Sequence, residues 1–204
     1  MHPDPAFRWD EAQARAFVAA EGFGALFAAT PDGPRVAHVP VVTGADGGLR
    51  FHIARANAVT AYLVGATALF VVQGPHAYIS PQWYADGPDQ VPTWNYVAVE
   101  VEGIVRPIDR AALREQIDSL ALAYEPEPQW SVDAMDPIKA EAMFDAIVGF
   151  ELVPTAWRGT AKLGQNKSPA IRERVAAALG DHSIARLGIT AMSPAPAQPS
   201  RTPA

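Results

Sequence analysis

Between Gln73 and Tyr96 the chain gathers two of its five tryptophans, three of its five tyrosines, a histidine and several hydroxyl and amide side chains. The run is Gln73-Gly74-Pro75-His76-Ala77-Tyr78-Ile79-Ser80-Pro81-Gln82-Trp83-Tyr84, followed by Val91-Pro92-Thr93-Trp94-Asn95-Tyr96. Rigid rings with hydrogen-bonding tips make poor core and a good pocket wall for a flat ligand with polar edges. Asn95 and Thr93 stand beside Trp94 and Tyr96, so donors and acceptors come with the rings.

Two other places could supply positive charge. Ala54-Arg55-Ala56-Asn57-Ala58 follows an alternating stretch and opens a short helical one, a junction whose free N–H groups, Arg and Asn could hold a phosphate. A solvated Arg beside a capping Asn reads equally well there. Arg158, Lys162, Lys167, Arg172 and Arg174 form a second cluster with Glu173 as the only acid between them. That cluster suits a ligand phosphate, a small nucleic-acid contact or a solvated loop and helix face.

Other chemistries lack their residues. The chain has no cysteine, so disulfides, thiolate metal sites and thiol catalysis are out. His2, His38, His52, His76 and His182 form no close pair of the kind metal sites use, and no metal is expected. Ser80 lies between Ile79 and Pro81 with no evident base and no nucleophile-elbow glycines. Gly22-Phe23-Gly24 precedes a strand and lacks the third glycine of a dinucleotide fingerprint.

The elements that must position these residues are legible from caps and periodicity. Asp10 caps a helix over 11–21 that Gly22 ends. Strands are expected over 23–29, 35–43 and 49–54, separated by Thr30-Pro31-Asp32-Gly33-Pro34 and Gly44-Ala45-Asp46-Gly47-Gly48. Leu49, Phe51 and Ile53 alternate with Arg50, His52 and Ala54. A short helix over 58–64 and a buried strand over 68–73 follow, and 80–93 reads as a Pro-broken loop. The strand over 96–108 points Val97, Val99 and Val101 inward and Glu100 and Glu102 outward.

In the second half Asp109 caps a helix to 124, with Leu113, Ile117, Leu120 and Tyr124 as its apolar stripe. Asp136-Pro137 opens a helix to 147, a last strand covers 148–155, and Ser168-Pro169 opens a helix that Gly180 ends. Strands linked by turns without a βαβ rhythm favour an antiparallel sheet or small barrel: mainly β with helices, an α+β fold. Residues 1–192 read as one domain with C-terminal helices, and 193–204, rich in Pro, Ser and Ala, as a disordered tail.

The net charge is −6 over 204 residues, which argues against a generally basic nucleic-acid binder. Met1-His2-Pro3-Asp4-Pro5 has no secretion-leader character, and no apolar run reaches membrane-spanning length, so a cytoplasmic protein without membrane contact is expected. The rings, amide tips and cationic clusters together answer the needs of a flavin: flat apolar contact, hydrogen bonds at a pyrimidine edge and donors for a phosphate.

Taken in order, the landmarks resemble the PaiB-type FMN-binding negative transcriptional regulators. They are Phe23-Gly24, His38-x-Pro40, His52-x-Ala54-Arg55-Ala56-Asn57, the run from Phe70 to Tyr84, Val91 to Tyr96, Ile147-Val148-Gly149-Phe150, and Lys162-Leu163-x-Gln165-Asn166-Lys167. The resemblance spans about 7–179. It departs at Ala58, where the family more often has Pro, and at Gly164, where Ser is common.

The resemblance implies an antiparallel split β-barrel with flanking helices, related to the pyridoxamine-phosphate-oxidase-like flavoproteins, usually a homodimer with FMN in grooves between subunits. It places Arg55 and Asn57 near the phosphate. Ser80, Trp83, Tyr84, Thr93, Trp94, Asn95 and Tyr96 would line the ring. His38, His52 and His76 are the nearby candidates for proton transfer, and each reads better as a hydrogen-bonding group than as a catalyst. Lys162, Gln165 and Asn166 would close the site. The function implied is that of a regulator or flavin-dependent sensor. The alternatives are a flavin-dependent oxidoreductase using NAD(P)H or a small organic substrate, and a repressor that contacts DNA directly. No helix-turn-helix with a basic recognition helix is visible in support of the last.

Overall fold

A computed structural model describes residues 2–126 and 130–190. The expected tail at 193–204 lies outside the described residues. The strands are β1 (Arg8–Trp9), β2 (Phe23–Thr30), β3 (Gly33–Pro40), β4 (Val42–Thr43), β5 (Leu49–Ala54), β6 (Thr67–Ile79), β7 (Thr93–Pro107) and β8 (Ile147–Lys162). The helices are α1 (Glu11–Glu21), α2 (Arg110–Tyr124), α3 (Pro137–Asp145), α4 (Pro169–Leu179) and α5 (Ser183–Thr190). One sheet takes the eight strands in the order β3-β2-β6-β7-β8-β5-β4, with β1 on β8. Its pairings of β2 with β3 and β6, of β4 with β5 and of β5 with β8 are antiparallel. The α+β fold class expected from the turn-linked strands is the one observed.

The described residues divide into two compact units, one of 2–9, 74–98 and 160–190, the other of 10–73 and 99–159. In the larger unit, Asp10 and Gln13 form a reciprocal capping box at the start of α1. Gly22 ends that helix with φ +60, and its N–H returns to the Val18 carbonyl at 3.0 Å. Leu49, Phe51 and Ile53 of β5 are buried, as their alternation requires. Phe51 pairs with Phe150 across the β5–β8 ladder, the rings stacked at 5.7 Å between centroids. Leu113, Val132, Ala140 and Phe144 form a separate cluster beneath α2 and α3.

Several local expectations change, among them the strand expected over 68–73, which runs from Thr67 to Ile79. The helix expected over 58–64 is a single 3-10 turn, Thr60–Tyr62. The strand over 35–43 divides at Val41, whose N–H bonds the Gly22 carbonyl at 2.8 Å. The α2 stripe loses Tyr124, which is exposed, and gains Gln116, which is buried and bonds His52. The last strand runs to Lys162 rather than stopping at 155, and the helix α5 had no cap-and-period signal in the reading of the chain.

The smaller unit is built from the ends of three long strands, two short turns and the last two helices. Asp4 caps the 3-10 turn Pro5–Phe7, and Ser80 caps the turn Pro81–Tyr84. Ser168 caps α4, with Pro169 in the first turn as expected. Phe7, Ala77, Ile79, Val97, Leu163, Ile171, Val175 and Ile184 are the apolar core of this unit.

Candidate functional site

A cavity of about 330 Å³ opens within the smaller unit. Its apolar lining includes Phe7, Ile79, Leu163, Ile171, Val175 and Ile184. Ile171 and Val175 lie four apart on α4, so one face of that helix serves the cavity. Its polar lining includes Tyr84, Asp89, Gln90, Thr93, Asn95, Lys162, Asn166, Lys167 and Arg172.

Three of these groups are cations held by local contacts. Lys162, the last residue of β8, donates its Nζ to Thr93 Oγ1 at 2.5 Å. Lys167 donates its Nζ to Gln90 Oε1 at 2.9 Å and stands 4.6 Å over the Tyr84 ring. Arg172 lines the wall from α4. None of the three makes an ion pair among the described residues.

Tyr84 is buried, and that burial pushes its phenol above the ordinary value, so it stays neutral and polar. Its carbonyl accepts from Arg174 Nε at 3.1 Å and from Arg174 Nη2. Ala85 follows in the left-handed region with φ +46, turning the chain into the loop that brings Gln90 and Val91 to the cavity.

Asn95 is 4% exposed and lines the cavity, and no hydrogen bond to its side chain is made among the described residues. Gly164 passes close by with φ +81, a conformation that suits glycine better than the serine common in the resemblance. Gln165 does not line the cavity. It braces the loop instead, accepting from Leu163 N at 2.8 Å and donating to Ala161 O at 2.5 Å.

Strand alternation divides the aromatic segment. Thr93 and Asn95 are two apart on β7 and both face the cavity, whereas Trp94 and Tyr96 do not line it. Trp94 lies instead in an exposed strip, 6.0 Å from Tyr78 and 6.1 Å from His76 between ring centroids. Ser80 is spent on capping, its Oγ accepting from Gln82 N, and Trp83 is half-buried outside the lining.

The remaining expected residues belong to the larger unit. His38 is exposed on β3 opposite Ala25. His52 Nδ1 lies 2.8 Å from Gln116 Oε1. Arg55 donates to the carbonyls of Asp145 at 2.8 Å and Ile147 at 3.1 Å, tying down the start of β8. Asn57 Oδ1 accepts from Val59 N at 3.0 Å. Of the basic cluster, Arg158 is bound to Glu100 and Glu102 at 3.1 and 3.0 Å.

Lys167 and Arg172 of the basic cluster line the cavity beside the expected Lys162 and Asn166. Gln90 and Phe7 carried no signal in the sequence.

Residues 1–156 match the family model described as "Putative FMN-binding domain". The chain belongs to this FMN-binding family. A curated relative, protease synthase and sporulation protein PAI 2 of Bacillus subtilis (strain 168), is 35% identical over 102 residues, 49% of this chain and 48% of that one. The chain thus matches about half the length of that PaiB-like relative. Among solved structures, the FAD and haem binding protein from Mycobacterium smegmatis superposes with a TM-score of 0.61 at 14% identity, over 82% of this chain and 78% of that one. The flavocytochrome Anf3 from Azotobacter vinelandii does so with a TM-score of 0.60 at 15% identity, over 76% and 68%. At those identities the likeness carries the fold alone, and the fold is the expected split barrel with flanking helices.

Family membership makes FMN the cofactor, and the cavity fits it. Its volume lies in the range of about 300–1,000 Å³ typical of small-molecule sites. Its lining joins an apolar set to three cations that make no ion pair among the described residues, with Asp4 and Asp89 in the same wall. No helix among the described residues is long and apolar enough to cross a membrane.

Proposed function

We propose that this chain is an FMN-binding regulator or sensor of the PaiB type and that the cavity of the smaller unit holds the flavin. The observation that carries this reading is the meeting of Lys162, Lys167 and Arg172, none of them ion-paired among the described residues, in one cavity with a largely apolar floor. The cations, with Thr93 beside Lys162, would take the phosphate, Asn95 the polar edge of the ring, and Ile79, Leu163 and Ile171 its faces. Asn166 stands at the rim beside the cations. Bound FMN supplies one- or two-electron redox chemistry; these residues bind it, orient it and keep water from its faces.

The regulatory part of the reading rests on the likeness to PAI 2. Direct DNA contact has little to draw on, because Arg174 is engaged with the Tyr84 carbonyl and the net charge is −6. Sensing through bound flavin is the better supported route.

A homodimer belongs to the same proposal. On β2 and β3, Phe23, Phe27 and Val36 are 55%, 40% and 43% exposed, and Phe27 lies directly opposite Val36. An apolar sheet face of this kind suits a second copy of the chain.

Titration of the purified protein with FMN, followed by visible absorbance and flavin fluorescence, tests the reading. Saturable binding of one FMN per chain is expected. Protein that stays colourless and leaves FMN fluorescence unchanged would overturn it.

A further inference from the structure

The larger unit carries two open clefts that FMN binding leaves unused, each of about 410 Å³. Ile117 of α2 and Trp130 line both, so the clefts meet as two halves of one groove. One half is lined by apolar residues, among them Met135, Met143 and Phe144. Unbranched methionines let such a wall fit tails of varied shape. The other half brings three exposed rings together from separate parts of the chain: Phe23 at the start of β2, Tyr124 at the end of α2, and Trp130. Glu21 and Glu125 stand with them. Among the described residues no Lys, Arg or His lines either half.

The two carboxylates stand where a helix favours a cation. Glu21 is the last residue of α1 and Glu125 caps the end of α2, so both sit at the negative ends of helix dipoles. Neither helix has a basic residue in its last turn. Neither carboxylate makes an ion pair among the described residues. The arginines at the start of α2 are already engaged, Arg110 with Glu141 and Asp145, and Arg114 with Asp118 and Asp133. The ring-lined half is therefore negative, with no counter-charge of its own among the described residues.

Ring faces attract cations, and a quaternary ammonium suits them because it carries its charge on an apolar surface. An anion is repelled by the carboxylates, and a bare metal ion gains nothing from the apolar half. We propose that this groove is a binding site for amphipathic organic cations. The ammonium head lies among Phe23, Tyr124 and Trp130 and is neutralised by Glu21 and Glu125. The alkyl or aryl tail crosses Ile117 to reach Met135, Met143 and Phe144. The site lies within the larger unit and stands whether or not the smaller unit holds FMN.

The test uses octyltrimethylammonium, octyl glucoside and octyl sulfate, which share a tail and differ in head charge, and tetramethylammonium, which has the head alone. Each is titrated below its micelle concentration into the full chain without FMN, and binding is followed by calorimetry. One octyltrimethylammonium per chain is expected to bind saturably, at least about tenfold tighter than any of the other three. In Glu21→Gln/Glu125→Gln the affinity for octyltrimethylammonium should fall by about five- to tenfold while octyl glucoside binds as before. Trp130→Ala removes a ring that serves both head and tail, and should weaken every octyl ligand.

Octyl glucoside or octyl sulfate binding as tightly as octyltrimethylammonium would overturn the proposal. So would a preference for the cation that survives Glu21→Gln/Glu125→Gln, whose substitutions lie at exposed positions and leave the packing alone. Phe23 also belongs to the sheet face proposed for a second copy of the chain. An affinity that falls as protein concentration rises through dimer formation would give the groove to that second copy and overturn the proposal as well. FMN is titrated separately, so failure of either site leaves the other standing.

Discussion

Lys162 Nζ donates to Thr93 Oγ1 at 2.5 Å, linking the last residue of β8 to the first residue of β7. The hydroxyl holds the ammonium at the cavity wall, with no acid taking up its charge among the described residues. A cation fixed by a neutral partner keeps its charge available to an anion. Lys162→Met should therefore weaken FMN binding by about tenfold, the scale of one charge-assisted hydrogen bond, and should leave riboflavin affinity nearly unchanged. Paired titrations of the two flavins check this.

Arg174 holds the Tyr84 carbonyl with two of its nitrogens and so anchors the turn that precedes the cavity loop. Arg174→Ala leaves that carbonyl without its donors. A loss of about 1–3 kcal/mol in unfolding free energy is expected, measured by chemical denaturation. FMN affinity should fall as well, because Tyr84 and Gln90 both line the cavity.

Gly22 combines two demands. Its φ of +60 favours glycine, and a Cβ there would collide with the Tyr124 hydroxyl. Gly22→Ala should cost about 1 kcal/mol or more from the backbone alone. In Tyr124→Phe the contact with the hydroxyl is gone, so the same substitution should cost less in that background. Thermal unfolding of the two single variants and the double variant measures the coupling.

Glu100 supplies a pH dependence. Burial pushes its carboxyl up, but hydrogen-bond donors, Arg158 among them, outweigh burial and hold it below its ordinary value of 4.5. A carboxylate depressed in the folded state adds stability above its unfolded value, and that contribution is lost as pH falls through the folded value. Unfolding midpoints should therefore drop more steeply below about pH 4.5 in wild type than in Glu100→Gln. A denaturant series from pH 3 to 7, as an order-of-magnitude window, makes the comparison.

Phe27 sits opposite Val36 on the exposed face of β2 and β3. Phe27→Glu should place a charge in the proposed dimer interface and shift the protein to monomer in sedimentation analysis at micromolar concentration. Wild-type protein that is already monomeric would remove that interface from the proposal.

Much of the fold was legible because its signals are local. Asp10, Asp109, Asp136 and Ser168 each accept from an N–H only three residues on, so each helix start is written in about four residues. The alternation of Leu49, Phe51 and Ile53 likewise needs only the period of a strand. The end of β8 was not legible, since Pro154 and Thr155 break the apolar pattern that marks its first half. The lining of the cavity was legible in part. The segment 73–96 supplies several residues of the cavity lining, but a strand sends neighbours to opposite faces, and that sorted Thr93 and Asn95 from Trp94 and Tyr96.

Composition, caps, periodicity and ordered landmarks were enough for the fold class, the family and the cofactor. Which basic residues face a ligand was not in them. Arg158 meets Glu100 across 58 residues of chain, Lys162 meets Thr93 across 69, and Arg174 meets Tyr84 across 90. Those pairings exist only once the sheet and the last helices are in place. They separate one run of similar cations into an ion pair, a structural clamp and a group open to the cavity, because a side chain's role follows from the partner within reach, not from its own type.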